Sequence, residues 1–325
     1  MNELQFAAKH EAEWAALART LDPPKDDPPK PGDIDQVPRR FRRLAGELAL
    51  ARDRQYRTSL IDRLHNLAMS AHLAVHGARG QGRPGMIAAL WDFFVNEFPA
   101  EVRRQWRFVA ASALAFFGPF LGGIVALQFF PDFVYYLVSP ETLAHIQSMY
   151  APDNMRLGAA READSDVMMF GFYIMNNVRI NLQCLAGGVF FGLGSFAALV
   201  GNGMFLGAIA GYLTQIGYGR TFWGFVAGHS APELLGLVLA GASGLMIGYA
   251  LVAPGRLTRA AALRERGRRA ATLLYGAALM TTGAAIIEAF WSSRVTIPFE
   301  IKIGAGIAVA ALVIAFLALG GRRGS

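Results

Sequence analysis

The chain has 325 residues, of which 54% are hydrophobic, 17% are charged and 36 are glycine, and its 31 basic and 24 acidic side chains leave a net charge of +7. That composition excludes a disordered chain and argues against an ordinary cytosolic enzyme. The single cysteine, Cys184, excludes an intramolecular disulfide and a thiolate metal cluster.

A basic balance suits nucleic acid, but it also suits a membrane protein whose basic loops face the cytoplasm, and the placement of the charges separates the two. Residues 1–107 hold 17 of the basic and 14 of the acidic side chains, so the chain is soluble-like first and membrane-like afterwards. Residues 1–21 read as an amphipathic helix with Phe6, Trp14, Leu17 and Leu21 near one face. Residues 22–38 contain six prolines and read as a stiff, extended linker. A cytoplasmic helical domain is expected over 39–107. Its long helical pattern runs from Arg39 to about His76, is broken from Gly77 to Gly85, and resumes from Met86 to Arg107 with Trp91, Phe94 and Phe98 as interfacial anchors.

From Phe108 to Phe130 no charged residue occurs over 23 positions. As a helix this run is about 35 Å long, enough to cross a bilayer. Gly118 and Pro119 mark a kink within it, and its distance from the N-terminus argues against a signal peptide. Further uncharged runs lie at roughly 182–200, 202–218, 234–253, 270–287 and 303–320. The fold class expected is therefore all-α, a polytopic bundle of about six spans over 108–320 behind an N-terminal helical domain. Arg103, Arg104 and Arg107, the basic loop 255–269 and the pair Arg322 and Arg323 should be cytoplasmic, while the acidic loop 131–166, of net charge −4, should face outward. Six spans with both termini in the cytoplasm satisfy every loop. Residues 168–181 are open between crossing, re-entering and lying along the membrane.

Polar residues inside apolar runs are the informative ones, because each costs free energy in hydrocarbon unless it faces the bundle interior or water. One cluster is Asn176, Asn177, Arg179 and Asn181, and a second is His229 and Glu233. The i,i+4 spacing of His229 and Glu233 suits metal ligands, proton relays and plain ion pairs alike. Ser230 as N-cap and Glu233 three residues on would instead form a capping box, with no chemistry implied. Interfacial anchoring and interhelical hydrogen bonds are the structural reading of the asparagines.

Gly241-Ala242-Ser243-Gly244 has the GxSG pattern of rhomboid proteases, but no histidine follows Ser243, and His229 lies about 21 Å back along a continuous helix. Ser243 is therefore expected to pack rather than to react. Small residues spaced by four, namely Gly188 and Gly192, Gly203, Gly207 and Gly211, and Gly236, Ala240, Gly244 and Gly248, read as close helix contacts. No P-loop, HExxH, dinucleotide fingerprint or zinc-type spacing occurs, so no catalytic residue, metal or cofactor is expected. The segment Arg256–Arg269 lacks aromatic residues for base stacking, so anionic lipid headgroups, not nucleic acid, are its expected partner.

Taken in order, the Asn176-Asn177 pair entering a Gly-rich span, the N-G-x-x-x-G of Asn202, Gly203 and Gly207, and the G-H-x-x-x-E of His229 and Glu233 followed by A-G-A-S-G-L resemble the stage II sporulation protein M family. Ser230 stands where the family has a glycine. The lead-in from Phe93 to Arg107 is similar too, so the resemblance covers about residues 40–320. It implies a multi-span bacterial membrane protein that, in spore formers, helps hold cell-wall-degrading partners at the septal membrane. The candidate polar site comprises Asn176, Asn177, Arg179, Asn181, Asn202, His229 and Glu233. The leading expectation is a non-enzymatic scaffold of a cell-envelope complex, with a second copy of the chain and envelope proteins as partners in the bilayer. The alternative is a transporter or channel for a small solute or ion. Convergence of the polar residues on one water-accessible cavity favours transport, and a dry interface favours the scaffold.

Overall fold

The structure is a computed structural model and describes residues 3–23, 31–76, 85–158 and 166–322. It is all-α, and its only β pairing among the described residues is an isolated bridge between Arg156 and Arg294. The chain divides into two compact units, residues 1–86 and 87–325.

The first unit is three helices: α1 (Glu3–Leu21), α2 (Pro31–Asp53) and α3 (Thr58–His76). Phe6, Trp14 and Leu17 of α1 bury against Leu44, Leu48 and Leu64, as their helical spacing predicts. Glu47 is buried with them because the Trp14 indole N–H donates to it at 2.6 Å and His10 Nδ1 lies 3.0 Å away. Two expectations change. Residues 31–38 are the first two turns of α2 rather than extended linker, because Pro31 sits at the first helical position and its missing N–H is no loss there. The long pattern from Arg39 to His76 is two helices, with Gln55 in the left-handed region at φ 51° turning the chain between them. Residues 24–30 of the predicted linker and 77–84 of the predicted break lie outside the described residues.

The second unit carries α4 (Met86–Asp92), α5 (Phe98–Arg104), α6 (Trp106–Phe129), α7 (Val134–Leu137), α8 (Pro140–Tyr150), α9 (Asp166–Ala186), α10 (Leu193–Gln215), α11 (Gly219–Val226), α12 (Ser230–Val252), α13 (Arg259–Ile287) and α14 (Phe299–Leu319). Five of them, α6, α10, α12, α14 and α13 with its extension to Ser292, are long and apolar enough to cross a membrane. The predicted span 182–200 is not one helix. Residues 187–192 form a tight turn in which Gly187 meets the backbone of Gly194, and Gly192 takes φ 85° to start α10. Phe190, Phe191 and Leu193 keep this turn apolar, so hydropathy runs through it unbroken. Residues 168–181 accordingly belong to α9, a sixth long helix whose Asn and Arg content keeps it below the apolarity of the other five. Pro119 lies within an uninterrupted α6.

Glycine sets the packing. Gly203 lies on the Phe116 carbonyl, Gly207 on that of Phe120 and Gly211 on Ile124 and Leu127, so α10 and α6 run in the same direction in steps of four. Gly244 meets Cys184 and Ser195, Gly248 meets Gly192, and Gly188 meets Gly244, which sets α12 antiparallel to α10. Gly236 faces Thr281 and Gly267 faces Ile247, so α13 runs against α12. Phe98, read from sequence as an interfacial anchor, is instead fully buried on Gly276, while Trp91 is exposed. Arg103 caps the far end of α14 through the carbonyls of Leu317 and Gly320, a cation at a helix C-terminus. These contacts gather the Arg103–Arg107, Arg256–Arg269 and Arg322 segments at one end of the bundle, and Asp132, Asp166 and Glu300 at the other.

Candidate functional site

At the acidic end, α8, α9, α10, α11 and the start of α12 enclose a cavity of about 570 Å³. That volume lies in the usual range for a small-molecule site. Asn176 and Asn177 of α9 and His229 and Glu233 of α12 all line it. Three other predicted residues do not. Asn181 is buried one turn deeper, where its Nδ2 donates to Thr281 Oγ1 at 3.3 Å. Arg179 is exposed on the opposite side of α9, and Asn202 donates back to the Ala198 carbonyl of its own helix. Sequence proximity grouped Arg179 and Asn181 with the asparagine pair, and the helical screw separates them, while Asn202 came in through its N-G-x-x-x-G motif on another helix.

The capping-box reading of Ser230 and Glu233 does not hold. His229, not Ser230, is the N-cap, no side chain caps the helix, and Ser230 is already its first residue. Glu233 is thereby free to face the cavity, with its Oε2 3.7 Å from His229 Nε2. The turn carrying His229 can sit this deep because Gly228 lies under the Trp291 ring, where a Cβ would collide, and Gly306 of α14 takes the Ala227 carbonyl at close range.

The end of α13 supplies residues that sequence reasoning missed. Residues Glu288–Ser292 form a wider π-helical turn, a feature that recurs at functional sites. It directs both Glu288 and Ser292 inward. Glu288 lines the cavity at 8% exposure, and its nearest ligand atom lies within 4.8 Å of those of His229 and Glu233. Ser292 Oγ is 2.9 Å from His229 Nδ1, while the Ser292 carbonyl accepts from buried Lys302 Nζ at 2.7 Å. The available signal was an acidic residue in an otherwise apolar stretch, AAIIEAFW, which reads as a loop charge when the span is ended one residue early.

The outer wall is α8. Tyr150 packs edge-on to Phe222 and Phe225, and burial, with Glu288 beside it, pushes its phenol above the ordinary range, so it stays protonated. Leu157 N–H donates to the Ser293 carbonyl at 3.1 Å and Arg156 pairs with Asp166 at 2.5 Å, which ties the segment after α8 to the end of α13 and to the start of α9. Residues 159–165 of the predicted acidic loop lie outside the described residues.

Ser243, the one serine in a protease-like motif, is fully buried and donates to the Leu239 carbonyl at 2.9 Å, away from the cavity.

Comparison with known proteins gives two matches. Residues 111–293 match the family model described as stage II sporulation protein M, and residues 4–77 match a domain of unknown function (DUF8413). No curated protein and no solved structure matches the chain. The first match covers more than half of the chain and every cavity-facing polar residue named above, from Asn176 to Glu288, while the second accounts for the three-helix unit as a separate module. The chain is a membrane protein, and it belongs to the stage II sporulation protein M family.

Proposed function

We propose that the membrane unit is a carrier or channel for a small solute or ion, with the cavity between α8, α9, α11 and α12 as its binding site. The observation that supports this reading is the convergence of Asn176, Asn177, His229 and Glu233 from two helices, joined by Glu288 from a third, on one cavity. Polar side chains at a helix break in an apolar bundle are costly unless they serve one another or a ligand. The six long helices alternate in direction, so in this reading the chain passes the inner membrane six times, with the arginine-rich end and both termini in the cytoplasm. The cavity then opens toward the outer side.

Reconstitution into proteoliposomes tests it. Wild-type protein should raise the uptake of a solute or ion above that of empty vesicles, and a Glu233→Gln, Glu288→Gln double variant of equal insertion should not. Wild-type vesicles indistinguishable from empty ones across a panel of cations, anions and small polar solutes would sink the reading.

A scaffold of an envelope complex is the second reading. It is favoured by the separate three-helix unit, whose own core marks it as a module available to partners. Stoichiometric co-purification of an envelope protein from native membranes, lost on deletion of residues 1–76, supports it.

A further inference from the structure

Three groups with ligand character converge in the cavity. One ring nitrogen of His229, a Glu233 carboxylate oxygen and a Glu288 carboxylate oxygen lie within 4.8 Å of one another, and His229 Nε2 is 3.7 Å from Glu233 Oε2. Ligands around a first-row metal at roughly 2.0–2.2 Å stand about 3.5 Å apart, so small rotations of two glutamate side chains close the set. Among the described residues no Lys or Arg forms an ion pair with either carboxylate. Buried Lys302 is directed to the Ser292 carbonyl instead. Two carboxylates held this close in a low-dielectric setting repel each other unless a cation or proton lies between them.

Independent observations point to a ligand at the same place. Asn177, only 6% exposed, lines the cavity, and its buried Nδ2 meets no acceptor in hydrogen-bonding geometry. A buried donor left in this state costs about 1–3 kcal/mol, which a ligand or a metal-bound water accepting from it would recover. His229 is also set up as metal-binding histidines are. One ring nitrogen is fixed by a hydroxyl, Ser292 Oγ at 2.9 Å, and the other is left facing the carboxylates. In the tautomer that donates Nδ1–H to the hydroxyl, the Nε2 lone pair is left for a metal.

We propose that His229, Glu233 and Glu288 form a binding site for a divalent first-row transition-metal ion, with Asn177 holding an exogenous ligand or water on it. One imidazole nitrogen with two carboxylates selects Zn²⁺, Mn²⁺ or Fe²⁺ over the all-oxygen preference of Ca²⁺ and Mg²⁺. This names the ligand class of the cavity and rests on the carrier reading only for the fate of the ion.

The test uses the full chain in nanodiscs, stripped with chelator and dialysed against Zn²⁺, with bound metal counted by atomic absorption. One ion per chain is expected, retained in Arg179→Gln and weakened a hundredfold or more in Glu288→Gln and in Glu233→Gln. The isosteric glutamines preserve the volume, and thermal melts check that both variants fold. A second readout needs no variant: Co²⁺ added to the stripped wild-type protein should give visible absorption of mixed nitrogen and oxygen ligation, abolished by Zn²⁺ and untouched by equal Mg²⁺ or Ca²⁺. Absence of stoichiometric metal, wild-type binding in both glutamine variants, or displacement by Mg²⁺ overturns the proposal. Flux assays separate the two readings. Bound metal with no flux of any solute or ion in the panel leaves the site standing and removes the carrier, whereas flux by a protein that binds no stoichiometric metal removes the site and leaves the carrier.

Discussion

The Ser292 hydroxyl lies 2.9 Å from His229 Nδ1, bridging 63 positions of sequence, and this contact decides which edge of the imidazole meets the cavity. Ser292 is fully buried. Ser292→Ala should leave the ring free to rotate and weaken Zn²⁺ binding roughly 10- to 100-fold, the usual cost of losing such a support. A binding titration on Ser292→Ala in nanodiscs checks it. Affinity equal to wild type would show that the bond is structural and that His229 is oriented by Phe225, which meets it edge-on at 5.2 Å.

The direction of the bundle in the membrane has a direct test. Asp132 and Arg256 are both exposed and stand at opposite ends of the long helices, while the native Cys184 is fully buried and silent to a bulky thiol reagent. In intact cells a membrane-impermeant maleimide should label Asp132→Cys and should reach Arg256→Cys only after lysis. The reverse pattern inverts the topology and turns the cavity toward the cytoplasm.

Much of this architecture was legible because it depends on local periodicity. The apolar runs at 108–130, 234–253 and 303–320, the glycine stripes and the core of the three-helix unit follow from spacing alone. The turn at 187–192 was not legible, since its residues are as apolar as the helices on either side and only the backbone of Gly187 and Gly192 marks it. The site was half legible. Asn177 and Glu233 stand out as polar residues in apolar runs, but Glu288 and Ser292 reach the same cavity only through a widened turn at the end of α13, which no side-chain pattern announces. Asn202 and Arg179 show the opposite error, since polarity within an apolar run is satisfied as readily by a helix's own carbonyl or by an outward-facing position as by a shared site.

In the three-helix unit, Arg63 makes a two-point contact with Glu11, at 3.0 and 2.5 Å, joining α3 to α1. The Arg63 hydrogen bond holds the Glu11 carboxyl below the usual carboxylate range. A lowered folded-state value means that the pair stabilises the fold fully above the ordinary carboxylate pKa and loses its effect as pH falls through the lowered one. Both side chains are about half exposed, so the contribution is below about 1 kcal/mol and shrinks with salt. Arg63→Gln should therefore speed hydrogen exchange in α1 only modestly at pH 7, and the difference from wild type, corrected for intrinsic rates, should narrow toward pH 3 and in high salt. A difference independent of both would mean that Arg63 acts through packing of its aliphatic stem.

Two glycines six positions apart on α10 make opposite predictions for the same substitution. At Gly207 a Cβ would be driven into the Phe120 carbonyl oxygen, a backbone atom that moves only if α6 and α10 separate. At Gly201 nothing lies within 4 Å of the same atom. Gly207→Ala should therefore destabilise the bundle by about 1–3 kcal/mol through overpacking. Gly201→Ala gains up to about 1 kcal/mol of helix propensity with no clash to offset it. Thermal unfolding of the two variants in one detergent reads the contrast: a lowered Tm for Gly207→Ala beside an unchanged or raised Tm for Gly201→Ala. Equal melting temperatures would mean that the α6–α10 contact relaxes freely, and that the stripe of Gly203, Gly207 and Gly211 reflects tolerance of small residues and not a requirement for close approach.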